Sequence, residues 1–202
     1  MKLYYSATSP YVRKVNVCAI ELGLDEKLER IFTNPWEKDD KLLADNPLSK
    51  VPTLITDDGI VLYDSPVICE YLDTVQGGGV LIPASGTEHW NVLRLQALGD
   101  GILDAAVLRF LERKRPNFQQ SSEWDSIQQS AIQRALESLE SKVNEWKADV
   151  TIGQIAVACA LGYLDFRFAE DNWRQGQPGL TGWFETFAQR ESMQATIPKI
   201  PQ

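Results

Sequence analysis

Two serine–proline pairs each place a hydroxyl at the predicted start of a helix. Ser9 precedes Pro10, and proline suits the first position of a helix because its missing N–H would be unpaired there anyway. One interpretation makes Ser9 an ordinary N-cap that accepts from a backbone N–H. The other uses the same geometry for function, since a hydroxyl beside a helix N-terminus stabilises an anion. Ser9 would then activate a substrate thiolate without becoming a nucleophile, because such environments lower a thiol pKa from about 8.5 to about 7 or below.

A second pair, Ser65-Pro66, follows the carboxylate of Asp64. The ordinary interpretation is again an N-cap with an acidic residue near the positive end of a helix. A zwitterionic amino-acid end would fit the same place, with its carboxylate on the Ser65 hydroxyl and the helix N–H groups and its ammonium near Asp64. The residues alone leave both interpretations open.

Between the two pairs, Val51-Pro52 opens a predicted strand. A proline that enters a paired strand sits at the strand start or follows a cis peptide bond. A cis bond would leave the N–H and C=O of Val51 pointing outward, able to pair with an extended peptide backbone. The alternative is a trans proline in a loop, which is the more frequent state of such a bond.

These residues are positioned by an alternation of strand and helix patterns over the first 75 residues. The predicted elements are, in chain order, a strand at 2–6, a helix at 9–22, a strand at 28–33, a loop with one short helix at 34–46, a hairpin at 51–63 and a helix at 65–75. Gly23 supplies the stop of the first helix, and Asp57-Asp58-Gly59 the turn of the hairpin. The order βαβ-ββα is that of the thioredoxin fold.

The remainder of the chain carries long amphipathic helix patterns and no strand alternation. Helices are predicted at 88–114, 122–147, 151–170 and 180–190. Thr151 and Gln154 form a capping box, which specifies where the third of these helices begins. The predicted organisation is an α/β thioredoxin-like domain at 1–76, a glycine-rich linker at 77–87 and an all-α helical bundle domain at 88–202.

Charge and rare residue types exclude several classes of function. The 28 acidic and 20 basic residues give a net charge of −8, which repels phosphate backbones and anionic lipid heads, so we expect no nucleic-acid or membrane partner. Cys18, Cys69 and Cys159 are too widely spaced for a zinc site or a redox pair and predict buried structural thiols. A single histidine, His89, disfavours a metal centre and a Ser-His-Asp triad. No signal peptide and no apolar run of about 20 residues is present, so we expect a cytoplasmic protein.

Four segments, in this order, resemble the glutathione transferase superfamily. Residues 9–15 (SPYVRKV) look like the first-helix motif of its serine-type classes and of bacterial members, and residues 46–54 (NPLSKVPTL) are similar to its N-P-x-G-K-V-P-x-L segment, which ends in cis-proline. Asp64-Ser65 stands where the family has an acidic residue and a serine. Residues 155–165 (IAVACALGYLD) resemble the capping-box helix of its C-terminal domain. The resemblance covers the whole chain.

The resemblance implies a site for glutathione as co-substrate, with no metal. Ser9 would be the activating hydroxyl, Val51 would pair with the cysteinyl backbone, and Asp64 with Ser65 would hold the γ-glutamyl end. Lys38 and Lys50 are proposed for the glycyl carboxylate, Lys50 because it precedes Val51 as in the family. The chain departs from the family pattern at Ser49, where a glycine is usual, and at Gln154, where an aspartate is usual.

The implied function is conjugation of the glutathione thiolate to a small hydrophobic electrophile, as in detoxification, by a homodimer. One alternative is a glutathione-dependent peroxidase or reductase, although serine in place of cysteine at position 9 speaks against mixed disulfides. The other is a non-catalytic scaffold or regulator, like the stringent starvation proteins or elongation-factor subunits that share this fold.

Other hydroxyl, aromatic and basic residues offer less specific signals. Tyr4 or Tyr5 could serve as the activating hydroxyl, but strand alternation turns at most one of them toward the site. Aromatic residues that could line an acceptor pocket, or simply pack in the core, are Trp90, Phe110, Tyr163 and Phe166. The basic residues before Pro116, namely Arg109, Arg113, Lys114 and Arg115, are expected near a helix C-terminus for the dipole alone. His89 is expected to have a structural role.

Overall fold

A computed structural model describes residues 1–34, 36–37 and 39–199 and divides into two compact units. The first unit comprises Met1–Val92 with the segment that begins at Glu191, and the second comprises Leu93–Arg190. This division differs from the predicted boundaries, because the chain returns to the first unit at its C-terminal end. Among the described residues, no helix is both long and apolar enough to cross a membrane.

The first unit contains a four-stranded sheet and confirms the thioredoxin-like fold. Its elements are β1 (Lys2–Tyr5), α1 (Pro10–Glu21), β2 (Glu29–Phe32), α2 (Asp40–Asp45), β3 (Thr53–Ile55), β4 (Val61–Leu62) and α3 (Ser65–Val75), with a 3-10 turn at Asp25–Lys27. The strand order is β2-β1-β3-β4, with β1 and β2 parallel and the other pairs antiparallel. This is the βαβ-ββα order that the alternating patterns predict.

The core of this unit forms because β1 and β3 alternate sides while α1 and α3 pack their apolar faces together. Fully buried side chains include Leu3, Val15, Leu54, Ile68 and Leu72. The predicted structural thiols Cys18 and Cys69 are free and buried here, and the Cys18 Sγ lies 3.9 Å from the Cys69 carbonyl oxygen. The interaction with Cys69, together with burial, raises the pKa of the Cys18 thiol.

A short C-terminal helix, α8 (Glu191–Ala195), packs on α1 in the first unit. The buried guanidinium of Arg13 donates through Nη2 to the Met193 carbonyl oxygen at 3.1 Å. The Ser192 hydroxyl donates to Glu21 Oε1 at 2.5 Å. No periodic pattern predicts this helix, since it has five residues, and its contacts join positions more than 170 residues apart.

The segment predicted as a linker is held by one carboxylate. Asp73, buried near the end of α3, accepts from the backbone N–H groups of Gly79, Val80 and Leu81 at 2.9, 3.1 and 2.7 Å. Leu81 is buried beyond it. The glycines at 77–79 all adopt positive φ, so this turn uses conformations that favour glycine.

The second unit is helical, as predicted. Its helices are α4 (Gly86–Lys114, which enters this unit at Leu93), α5 (Ser122–Glu140), α6 (Ile152–Arg167) and α7 (Pro178–Phe187), with 3-10 turns at Asn117–Gln119, Val143–Glu145 and Ala169–Asp171. The predicted helix at 122–147 is too long, because the chain turns after Glu140. A Cβ built on Gly99 of α4 would lie 2.7 Å from the Ala156 carbonyl carbon, so glycine allows α4 and α6 to approach closely.

The predicted capping box is confirmed. The Thr151 N–H donates to Gln154 Oε1 at 2.9 Å, and the Gln154 N–H donates to Thr151 Oγ1 at 3.3 Å. The helix that follows is the core of the unit, with every residue of Ile152–Leu161 buried, including the third thiol, Cys159. The reciprocal cap satisfies two donors at the helix start, which is therefore specified by residues three apart in the sequence.

Candidate functional site

The register of the sheet brings three of the predicted motifs to one edge. In the antiparallel pair β1–β3, Tyr4 faces Thr53, so the end of β1 lies beside the start of β3. In the antiparallel pair β3–β4, Leu54 faces Leu62, so the end of β4 lies there as well. The chain therefore leaves β1, enters β3 and leaves β4 at the same edge.

Each motif is adjacent in sequence to one of these three strand ends. Ser9 follows β1, Val51 precedes β3, and Asp64 with Ser65 follows β4. Because only short segments connect β1 to α1 and β4 to α3, both helices begin near this edge. The sheet thus brings together Ser9, Val51 and Asp64 with Ser65, which are distant in the sequence. Lys50 precedes Val51 directly, and Lys38 lies outside the described residues.

Ser9 is the N-cap of α1, as the ordinary interpretation predicts. It has extended backbone dihedrals (φ −75°, ψ 121°), and its Oγ accepts from the Val12 N–H at 3.3 Å. Pro10 occupies the first helical turn. A hydroxyl that accepts in this way keeps its own hydrogen for donation, and within the described residues that hydrogen has no acceptor. The half-buried Ser9 can therefore cap the helix and donate to an anion at the same time.

Val51 lies at the edge with its backbone polar groups unpaired. Among the described residues, neither its N–H nor its C=O takes part in a backbone hydrogen bond. Its side chain is buried in a cluster with Tyr4, Val12 and Leu42, next to the first turn of α1. The Val51–Pro52 peptide bond is cis. Such a residue can pair with an extended peptide in the manner of an added strand.

Asn46 and Thr53 hold the loop before Val51, a role that no sequence pattern predicts. Asn46 is fully buried, and its Nδ2 donates to the Lys50 carbonyl oxygen at 3.2 Å and to Thr53 Oγ1 at 2.9 Å. The Thr53 hydroxyl donates to the same carbonyl oxygen at 2.8 Å. Ser49, in place of the usual glycine, adopts a φ of 50°. The Lys50 side chain is exposed. Because Asn46 lies in a polar stretch with Asp45, Ser49 and Lys50, the sequence gives no signal for this buried amide.

The start of α3 differs from the one predicted by its ordinary interpretation. Asp64, not Ser65, is the N-cap, and Asp64 makes no side-chain capping hydrogen bond. Ser65 is the first helical residue and is 2% exposed. The Asp64 carboxylate is exposed, and the Tyr63–Asp64 peptide bond is cis. No side chain of the described residues caps this helix N-terminus, so a carboxylate from outside the chain could accept there.

Tyr4 is not available as the activating hydroxyl. It donates to Asp45 Oδ2 at 2.8 Å, and burial, together with that hydrogen bond, raises the pKa of Tyr4 to about 12. Tyr5 has its ring edge-on to Phe32, with the centroids 5.8 Å apart. Ser9 is the hydroxyl of the three that stands at a helix N-terminus.

The remaining sequence candidates have other neighbours. His89 Nδ1 is 2.7 Å from the Pro83 carbonyl oxygen, and its ring is edge-on to the exposed ring of Trp90. Of the basic residues before Pro116, three are in ion pairs within the second unit: Arg109 with Asp125 and Asp171, Arg113 with Glu170, and Arg115 with Glu112. Within the described residues, no group of His, Cys, Asp and Glu side chains could hold a metal ion.

Comparisons with known proteins agree with this geometry. The family model of the glutathione S-transferase N-terminal domain matches residues 8–75. YibF of Escherichia coli K12, an uncharacterized GST-like protein, is 37% identical over 201 residues, which is 98% of both chains. A glutathione transferase family member of Pseudomonas fluorescens Pf-5, solved with bound glutathione, is 43% identical with a TM-score of 0.94 and covers 98% of this chain and 99% of its own. A glutathione S-transferase of Methylobacillus flagellatus KT with glutathione bound is 37% identical with a TM-score of 0.91, covering 98% and 99%. The chain belongs to the glutathione S-transferase family.

Proposed function

We propose that this protein is a transferase that conjugates the thiolate of glutathione to a small hydrophobic electrophile and works as a cytoplasmic homodimer. The observation that carries the proposal is the meeting of Ser9, Val51 and the open N-terminus of α3 at one edge of the sheet. Two relatives with the same fold were solved with glutathione bound, which supports glutathione as the co-substrate.

Glutathione lies extended across this edge in the proposed complex. Its γ-glutamyl carboxylate accepts from the Ser65 hydroxyl and from the N–H groups of the first turn of α3, and its ammonium pairs with Asp64. Its cysteinyl backbone pairs with the N–H and C=O of Val51. Its glycyl carboxylate is reached by Lys50, and by Lys38.

Ser9 supplies the chemistry by stabilising the thiolate. Its hydroxyl donates to the cysteinyl sulfur while Oγ continues to accept from the Val12 N–H. A hydrogen bond to a charged group contributes about 1.5–3 kcal/mol, and each pKa unit corresponds to about 1.36 kcal/mol, so this one bond lowers the thiol pKa by about 1–2 units. The sulfur then attacks the electrophile, a carbon–sulfur bond forms, and the electron pair leaves with the displaced group. The enzyme forms no covalent intermediate.

Calorimetric titration with glutathione, followed by a rate assay with 1-chloro-2,4-dinitrobenzene, tests the proposal on one preparation. Binding together with turnover supports a transferase. Binding without turnover with this and other electrophiles contradicts the catalytic part and favours the regulatory alternative. Absence of binding overturns the glutathione site itself.

A further inference from the structure

A cluster of cationic and aromatic side chains in the second unit has no role in the site described above. It consists of Phe110 and Lys114 on α4 and of Tyr163, Phe166 and Arg167 on α6, and is called here the Arg167 cluster. The Arg167 guanidinium carbon lies 4.4 Å from the ring centroid of Phe110 and 4.2 Å from that of Phe166. The Lys114 Nζ lies 5.2 Å from the Phe110 centroid. Both cations thus lie close to the ring of Phe110.

These two cations lack the carboxylate partners that other cations of the unit have. Arg109 pairs with Asp125 and Asp171, Arg113 with Glu170, and Arg174 with Asp165. Within the described residues, neither Arg167 nor Lys114 is in an ion pair, although acidic residues outnumber basic ones by 8 in the whole chain. Charge pairing inside the unit therefore does not explain this cluster.

The Arg167 guanidinium also has an unmet hydrogen-bond donor. Its Nε is buried and has no hydrogen-bond partner among the described residues. The guanidinium does interact with Tyr163, where it opposes the rise that burial causes in the pKa of the Tyr163 hydroxyl. A buried N–H without an acceptor costs about 1–3 kcal/mol. An anion that pairs with the guanidinium adds charge-assisted hydrogen bonds, which offset this cost.

The helix dipole accounts for only part of the arrangement. Arg167 stands in the last turn of α6 and Lys114 in the last turn of α4, where cations are favoured. The dipole does not require two aromatic rings beside the guanidinium or the absence of carboxylates. Flat aromatic surface beside a planar fork of N–H donors is suited to a ligand that is flat and bears a carboxylate.

We propose that the Arg167 cluster binds a planar aromatic monoanion of the aryl carboxylate class. Its carboxylate pairs with the Arg167 guanidinium and the Lys114 ammonium, and its ring contacts Phe110 and Phe166. The net charge of −8 disfavours ligands of higher negative charge. Identifying this ligand as the acceptor of the conjugation rests on the proposed function, whereas the binding itself does not.

Titration of the full chain with 1-naphthoate, in the absence of glutathione, tests this site. Arg167→Gln is expected to weaken binding about 10-fold or more, as loss of a charge-assisted bidentate pair does, and Lys114→Gln to weaken it about 3-fold. The matched control is Arg134→Gln, an exposed arginine on α5, which should leave the affinity unchanged. Uncharged 1-naphthamide should bind about 10-fold more weakly than 1-naphthoate.

Three results would overturn the inference: no binding of 1-naphthoate at millimolar concentration, equal affinity of Arg167→Gln and the unchanged protein, or equal affinity for the amide and the carboxylate. If Arg167→Gln does not fold, Arg167→Lys keeps the charge but not the planar fork and should still lose several-fold in affinity. Failure of the glutathione site would appear in the glutathione titration and leave 1-naphthoate binding intact. The two proposals therefore fail separately.

Discussion

Helices α3 and α7 begin in a similar way, yet only one of their N-termini is occupied. Both have proline in the first two helical positions, and in neither does the N-cap residue, Asp64 or Gln177, make a side-chain capping bond. At α7 the carboxylate of Glu140, from α5, accepts from the N–H groups of Gly179 and Leu180 at 2.9 and 2.7 Å. At α3 no described side chain takes that place.

The difference separates a helix end that serves folding from one that receives a ligand in the proposed complex. A carboxylate at a helix N-terminus satisfies donors that otherwise need water, and Glu140 does this inside the second unit. A Cβ built on Gly179 would lie 3.0 Å from Glu140 Oε1, so glycine provides the room for that carboxylate. The end of α3 has the same need, which the γ-glutamyl carboxylate meets in the proposed complex. At the N-terminus of α1, Ser9 Oγ itself accepts from one of these backbone donors, the Val12 N–H.

Removing the internal carboxylate should have the largest effect on this comparison. Glu140→Ala deletes two charge-assisted hydrogen bonds, each worth about 1.5–3 kcal/mol, so the free energy of unfolding should fall by about 3 kcal/mol. Glutathione affinity should not change in the folded protein, because Glu140 belongs to the second unit. Urea unfolding and calorimetry measure the two quantities. A stability loss below about 0.5 kcal/mol would contradict the role assigned to Glu140.

Ser9→Ala tests whether the capping hydroxyl of α1 also does chemistry. We expect kcat to fall about 100-fold, as for loss of one donor to a developing anion, with the Kd of glutathione within about 2-fold. Loss of the cap alone should cost about 1 kcal/mol of stability.

The matched control for Ser9→Ala is Ser121→Ala, because Ser121 caps α5 through a 3.1 Å bond from the Trp124 N–H. It should lose a similar amount of stability and no activity. If both variants lose the same fraction of kcat, Ser9 is only a cap.

Asp64→Ala should weaken glutathione binding about 10-fold through loss of the ammonium partner and change kcat little. Because Asp64 makes no capping hydrogen bond, stability should stay within about 0.5 kcal/mol, the reverse of the result at Glu140. Calorimetry and urea unfolding check both expectations. Glu70→Gln, an exposed acidic residue on the same helix, controls for the general effect of negative charge; a similar weakening in that variant would refute a specific contact at Asp64.

Tyr4→Phe should have the smallest effect on activity, with kcat within about 2-fold, because the hydroxyl of Tyr4 is committed to Asp45. Stability should fall by about 1 kcal/mol at pH 9. The pKa of Tyr4 is raised from its ordinary value of 10.0 to about 12, so the stability that its protonated hydroxyl contributes is present below pH 10 and is lost as pH rises through 12. The stability gap between the two proteins should therefore narrow above pH 10 in urea unfolding. A large loss of kcat would restore Tyr4 as the activating hydroxyl.

Local signals in the sequence determine where most elements begin. Each of these signals acts over a few neighbouring residues and can therefore be recognised without knowledge of the fold. Examples are the capping box of Thr151 and Gln154, the N-cap pair Ser9-Pro10, and Gly23 at the end of α1. The order βαβ-ββα and the four family segments follow from the same kind of pattern. The predicted helix at 122–147 is wrong at its C-terminal end, because the periodic pattern continues past Glu140 whereas α5 ends at that residue.

Which polar groups meet, and which have no partner within the described residues, depends on the packing of segments that are distant in the sequence. The antiparallel register of β1, β3 and β4 gathers Ser9, Val51 and Asp64, which are up to 55 residues apart in the sequence. Glu140 reaches the start of α7 across 39 residues. Capping preferences describe an isolated helix end, whereas its occupant can come from any part of the chain or from a ligand. Proline stands at the start of both α3 and α7 in the sequence, and only the packing shows that the N-terminus of α7 holds a carboxylate of this chain.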